Sequence, residues 1–387
     1  MNKTNKTTWS NTQTQKIVGV VLAAVALTWL VSYFSFRHSD GLSINSRQRT
    51  NIMRQMMGVG SDDQVKAGSK ASRSAIMPKV EDDVKVYQLT AEPINWEYSN
   101  GKKMLAWGYN GQTPGPEIRV SEGDKIKIIL KNNLPKDTSL HFHGVNLPYK
   151  QDGVPGISQD AIKQGQWFTY EFTATPSGTH FYHSHGSGHG DEAQQVDMGL
   201  YGSFIVEPKN FAKPDKDFTM VLGSWQPFSG NMNMAMMGGM TDLSGMGSMN
   251  HMMNYSLFTI NGLAYPDIEA LNVKAGERVR LRLINPGSMP IHPIHLHGHQ
   301  FKIVAVDGNE LAPAQQYYRN TIPVGPGESF DIEFVANNAG VWALHCHELH
   351  HAAGGMVTTL NYEGFSVNST AQPTANDSPV MDHGMMH

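Results

Sequence analysis

Gly340-Val-Trp-Ala-Leu-His345-Cys346-His347-Glu-Leu-His350-His351-Ala-Ala-Gly-Gly-Met356 decides how this chain is read. A strand alternates sides, so His345 and His347 share one face and Cys346 points to the other. Cys346, His351 and Met356 supply a thiolate, an imidazole and a thioether within one short segment. With one more histidine they make the ligand set of a blue-copper electron-transfer centre. The two flanking histidines would reach a different metal site on the opposite face. One strand would then join two copper sites through covalent bonds. A zinc cluster or a buried thiol is the plainer alternative, and what repeats elsewhere in the chain weighs against it.

The stretch closes a unit that the chain carries twice. Val120-Ser-Glu-Gly-Asp-Lys-Ile-Lys-Ile-Ile-Leu-Lys-Asn132 parallels Val273-Lys-Ala-Gly-Glu-Arg-Val-Arg-Leu-Arg-Leu-Ile-Asn285. Each copy leads to a His-x-His-Gly, His141-Phe-His143-Gly144 and His295-Leu-His297-Gly298. Each then reaches Gly-x-x-x-x-His-x-His, from Gly178 to His183 and His185 and from Gly340 to His345 and His347. Three landmarks in one order argue for duplication. Histidines two apart on a strand lie ~6.6 Å apart on one face, so each pair can serve two neighbouring metals. Eight imidazoles suit three coppers, two for one ion and three for each of the others.

Between the landmarks the pattern is that of strands and turns, as in Lys125-Ile-Lys-Ile and Ser329-Phe-Asp-Ile-Glu-Phe-Val. The expected fold is all-β, with two Greek-key β-sandwich domains at 83–208 and 209–364. Too few residues lie between them for a third.

On these motifs the sequence resembles the multicopper oxidases of the laccase and cuprous-oxidase superfamily. The resemblance runs from about residue 84 to 362. It rests on His141-Phe-His-Gly, Tyr182-His-Ser-His185, His292-Pro-Ile-His-Leu-His-Gly-His299 and the Cys346 stretch. It implies cupredoxin-like domains and four coppers per functional unit. A type 1 copper would sit on His292, Cys346, His351 and Met356, and a type 2 copper on His141 and His295. One type 3 copper would take His143, His183 and His347, the other His185, His297 and His345. Electrons from a small reductant would reduce dioxygen to water. Asp152 stands where the family has a proton-supplying carboxylate; its plainer reading is a turn residue before Gly153. Relatives also carry an acid beside the second type 1 histidine. Here those neighbours are His350 and Ala352, with Glu348 offset. His180 stands where an aromatic is usual. Aligning the two units puts Ser184 on Cys346, Thr138 on His292 and His189 on His351, so one type 1 site is expected, in domain two. Two-domain relatives complete their clusters between subunits, which implies a homotrimer.

The net charge is −4 with no basic block, so nucleic acid is not an expected partner. The single cysteine precludes an intrachain disulfide. Ile17 to Phe36 carries no charge and is flanked by Lys3, Lys6, Lys16 and Arg37. That length suits a bilayer span, so residues 1–36 are expected to be a membrane anchor or signal. The remainder would be exported to the periplasmic or extracellular side. Residues 37–82 read as a polar tether. A Met-rich loop, 229–254, and a His/Met-containing tail, 365–387, carry soft thioethers suited to Cu(I). Cu(I) and phenols are the expected reductants, and copper tolerance the expected role. The rivals are a copper nitrite reductase-like enzyme and a non-catalytic copper store.

Overall fold

The computed structural model describes residues 66–67, 75–187, 190–210, 212–226 and 255–365. The apolar N-terminal stretch, most of the 37–82 segment, the Met-rich run and the tail beyond residue 365 lie outside the described residues, as does His189. Among the described residues no helix is long and apolar enough to cross a membrane.

The first sandwich is built from β1 (Lys66–Ala67), β2 (Lys79–Glu81), β3 (Val84–Ser99), β4 (Lys102–Tyr109), β5 (Gly115–Ser121), β6 (Lys125–Asn132), β7 (His141–His143), β8 (Trp167–Thr173), β9 (Gly178–His183) and β10 (Tyr201–Glu207). Helix α1 (Asp191–Asp197) precedes β10. The second is built from β11 (Lys216–Trp225), β12 (Leu257–Ile260), β13 (Leu271–Val273), β14 (Arg278–Ile284), β15 (His292–Leu296), β16 (Phe301–Val306), β17 (Asn309–Glu310), β18 (Tyr317–Arg319), β19 (Thr321–Val324), β20 (Ser329–Val335), β21 (Val341–Cys346) and β22 (Val357–Tyr362). Helix α2 (Leu349–Ala353) precedes β22. Two strands already form within the stretch read as a tether, since β1 and β2 both pair with β3.

The alternation read in the sequence is the alternation of burial. In β6, Ile126, Ile128 and Leu130 are buried while Lys125 and Lys131 face out, as expected for a sheet packed on one face. The duplication holds at the level of topology. The first sandwich pairs β4-β3-β6-β8 and β5-β10-β9-β7; the second pairs β12-β11-β14-β20 and β13-β22-β21-β15. Equivalent strands even share parallel pairing, β3 with β6 and β11 with β14, β10 with β5 and β22 with β13. The second copy adds β16–β19, which extend both of its sheets.

Each sandwich has its own apolar core. A third cluster joins them, with Trp96, Phe181 and Tyr201 from the first meeting Val221, Trp225 and Leu257 from the second. Polar groups fix that junction. Trp96 donates to the Gly262 carbonyl at 2.8 Å. Arg282, buried, bonds Asp217 and Asp331 in its own domain and Thr179 across the boundary. Arg119 of the first domain reaches the same Asp217 at 3.1 Å.

Candidate metal centres

β21 behaves as its sequence requires. Cys346 is fully buried in the second core beside Met356, while His345 is half-buried and His347 exposed. The sulfur and its two neighbours therefore face opposite sides of the sheet. β15 pairs with β21 and sets Ile294 against Cys346, which brings His292 to the same pocket. His292 Nδ1 lies 3.9 Å and His351 Nδ1 3.5 Å from Cys346 Sγ. The three donor atoms all lie within 4.8 Å of one another. Met356 enters on the turn after α2, where the Cys346 amide donates to its carbonyl at 3.1 Å. Phe258 stacks on His351 at 4.0 Å.

The paired histidines form two groups. His141, His143, His183 and His185 meet on β7, β9 and the residues just after β9, with ring centroids 5.3 to 6.5 Å apart. His295, His297, His345 and His347 meet on β15, β21 and the residues just after them, 4.8 to 5.7 Å apart. Among the described residues, their histidine–histidine ring contacts stay within one domain or the other. His297 Nε2 and His345 Nε2 are 3.0 Å apart, close to the ~3.3 Å that two imidazoles span on one tetrahedral ion with metal–nitrogen bonds of ~2.0 Å.

Backbone carbonyls set the ring orientations in both copies alike. His141 Nδ1 faces the Asp152 carbonyl and His295 Nδ1 the Asn320 carbonyl, each at 2.7 Å. His183 Nδ1 faces the carbonyl of Ser184, and His345 Nδ1 that of Cys346. A carbonyl only accepts, so each Nδ1 carries the proton and each Nε2 lone pair is left for an ion.

Two family models match the chain, both described as multicopper oxidase, over residues 90–210 and 240–364. The chain belongs to the multicopper oxidase family. Copper resistance protein A of Pseudomonas syringae pv. tomato is 28% identical over 365 residues, which are 83% of this chain and 57% of that protein. The blue copper oxidase from Nitrosomonas europaea is 31% identical with a TM-score of 0.62, covering 72% of this chain and 86% of that one. The copper nitrite reductase from Nitrosomonas europaea is 26% identical with a TM-score of 0.59, covering 73% and 94%. This multicopper oxidase chain spans 30% to 57% of the length of the first curated relatives it matches.

Copper is the metal of this family, and the donors here fit it. A thiol, two imidazoles and a thioether are a soft set. Burial pushes the Cys346 thiol up to about 12, so without a cation the pocket would hold the proton; a bound metal replaces it. Burial, and then the neighbouring His351, hold His292 down at about 3. Burial, and then His141, do the same for His183. Both rings are neutral and ready to ligate.

Asp152 is brought to the first histidine group. Its carboxylate lies 3.4 Å from His141 Nδ1 and is partly exposed. Other contacts were not read from the sequence. Ser224 Oγ lies 3.0 Å from His292 Nε2, Thr321 Oγ1 2.9 Å from His295 Nδ1, and Glu192 3.4 Å from His185 Nε2. Each partner comes from a distant or non-repeating segment, so no local spacing announced it. In the sequence Glu348 stands three residues from His351, offset from it. As the cap of α2 it turns back, and its Oε2 lies 3.2 Å from His351 Nε2.

The pseudo-equivalent pocket of the first domain is filled differently. The Ser184 amide donates to the Leu200 carbonyl as the Cys346 amide does to that of Met356, so Leu200 takes the place that the thioether holds in domain two. Thr138 and Gln195, both buried, hydrogen-bond at 2.6 Å. His180 has a packing role. It lies under Gly144 as Trp342 lies under Gly298, and it also meets the second domain at Gly308.

Proposed function

We propose that the chain is an oxidase that couples one-electron oxidation of Cu(I), and of phenols, to the reduction of dioxygen, in copper tolerance outside the cytoplasm. One observation carries this reading: the Cys346 sulfur lies in the core between two converging imidazoles while His345 and His347, bonded to it through the backbone, join a four-histidine group on the other side. Four donors give four electrons, which with four protons turn one dioxygen into two waters. Copper supplies the one-electron steps when bound, and the protein supplies orientation, potential and protons.

In this reading His292, Cys346, His351 and Met356 hold the type 1 copper. His141 and His295 hold the type 2 copper. His143, His183 and His347 hold one type 3 ion, and His185, His297 and His345 the other. Since the two histidine groups make no ring contact within the described chain, we propose that each cluster is completed between domain one of one copy and domain two of the next. Three copies close such a head-to-tail ring. Asp152 would deliver protons beside the type 2 ligand His141.

The thioethers of the Met-rich run, a soft donor set, support Cu(I) as a reductant. The described segments on either side of that run in the sequence both reach the blue-type pocket. Ser224 contacts His292, and the Phe258 amide donates to the Gly354 carbonyl. The name of the Pseudomonas relative points the same way. The nitrite reductase likeness favours a second reading, but Ser184 in place of a domain-one thiolate and four complete histidine pairs speak against it.

The deciding experiment is dioxygen uptake with Cu(I) and with a phenol, recorded alongside blue absorbance; absence of uptake defeats the oxidase, and uptake without blue colour defeats the type 1 copper. Deleting 231–253 should lower Cu(I) oxidation far more than oxidation of a bulky dye. Equal losses would remove Cu(I) delivery from the account.

A further inference from the structure

The blue-type pocket is closed except at one edge. His292, Cys346 and Met356 are fully buried, whereas the His351 side chain is 14% exposed and Glu348 above it 37%. Glu348 grips this edge from several directions. Oε2 accepts from the His351 amide at 2.9 Å and lies 3.2 Å from His351 Nε2. Oε1 lies 2.8 Å from Nδ1 of the solvent-exposed His350. One residue thus holds the outermost imidazole through both its amide and its ring.

Two consequences follow from elementary chemistry. A carboxylate accepts, so His351 Nε2 must carry the ring proton, and the lone pair of Nδ1 points inward, 3.5 Å from the sulfur. With Phe258 stacked on one face of the ring, both tautomer and rotation are fixed. The carboxylate, 3.2 Å from the outermost imidazole and partly exposed, also sets a negative charge at the point where a donor must approach. Charge at a rim acts on approach and on salt dependence more than on the buried chemistry.

We propose that Glu348 is the positioning and specificity residue of the donor-facing edge: it orients His351 and makes the site favour cationic one-electron reductants over anionic ones. This rests on the oxidase reading above. The step it governs is the loss of one electron by the donor, with no bond made or broken and dioxygen as the final acceptor. His350 shares the same carboxylate, and the groups packed behind His351, namely His292, Cys346, Met356 and Phe258, include no second acid, so the carboxylate at this edge is that of Glu348.

The test uses the full-length, copper-loaded protein and its Glu348→Gln and Glu348→Asp variants. The donors are hexaammineruthenium(II), a cation, and ferrocyanide, an anion. Glu348→Gln keeps an acceptor for His351 and loses the charge. It should keep the blue band while the cation-to-anion ratio of kcat/KM falls about tenfold at low ionic strength, a difference that vanishes in ~1 M salt, where the screening length is ~3 Å. Glu348→Asp, still a good helix cap, should keep the preference but shift the blue band, because the shorter carboxylate withdraws from His351. A ratio within twofold of wild type in Glu348→Gln, with colour and dioxygen uptake intact, overturns the specificity role. An unshifted band in Glu348→Asp overturns the positioning role. Wild-type protein lacking both colour and uptake would instead overturn the oxidase reading beneath it.

Discussion

Cys346 concentrates the chemistry of this chain in one side chain. Its thiol is held up to about 12 by burial, so serine in its place leaves a neutral, hard oxygen that suits copper poorly. Cys346→Ser should abolish blue absorbance and cut oxidase turnover by more than about a hundredfold, beyond the 10–100-fold typical of losing an outer partner. Full turnover in that variant would refute the wiring through the sulfur. Asp152 makes a separable prediction. Its carbonyl orients His141 and its carboxylate stands 3.4 Å from the same ring. Asp152→Asn preserves the carbonyl and removes the acid. It should slow dioxygen reduction by about 10²-fold, as loss of an acid–base group does. Anaerobic bleaching of the blue band by reductant should proceed at the wild-type rate. Slowed bleaching would show that the residue acts on electron arrival.

At the scale of elements, two hairpin-like turns carry cluster histidines, and each depends on a glycine. Gly298 has φ of +70° and a Cβ there would sit 2.6 Å from the Trp342 ring. Asn338 closes the same turn, donating to the Gly298 carbonyl at 2.9 Å and accepting from Trp342 Nε1 at 2.7 Å. Gly298→Ala should lower stability by about 1–3 kcal/mol through backbone strain and displace His297. Thermal unfolding together with copper content measures both; a variant with wild-type midpoint and full copper would show the turn to be tolerant. The α2 cap is the other decisive element. Read along the sequence, Glu348 is simply three residues from His351. Only the capping turn sends its carboxylate back over the imidazole. The helix-cap geometry, and not the spacing, gives that residue its place.

Across the whole molecule, the two sandwiches are fixed by an apolar cluster and by one buried charge network. Burial raises the Asp217 carboxyl, but Arg282 and Arg119 outweigh it and hold the group below its usual range. A depressed folded value means that the stabilisation is present above the unfolded value of about 3.9 and is lost as pH falls through the folded one. Asp217→Asn should therefore lower stability at neutral pH, on the order of 1–3 kcal/mol for a buried charge-assisted partner. The gap to wild type should close in acid. Unfolding midpoints at neutral and acidic pH check this, and a constant gap would assign the loss to packing. The proposed ring makes its own prediction. Sedimentation of copper-loaded protein should give three subunits. A fully loaded single subunit would place the whole cluster within one chain.

Much of this is legible in the sequence. Period-two alternation in Lys125-Ile-Lys-Ile, the repeated Gly turns and the four His-x-His pairs are local patterns, and a strand turns such spacing directly into sidedness. They fixed the all-β fold, the duplication, and which face the Cys346 sulfur takes. Tertiary structure alone decided which carbonyl orients each imidazole, that Ser224 meets His292, and that His180 packs under Gly144. Those facts rest on contacts between residues tens to hundreds of positions apart, or on a cap that reverses the chain. Neither periodicity nor spacing carries that information, because it exists only once the sheets have packed.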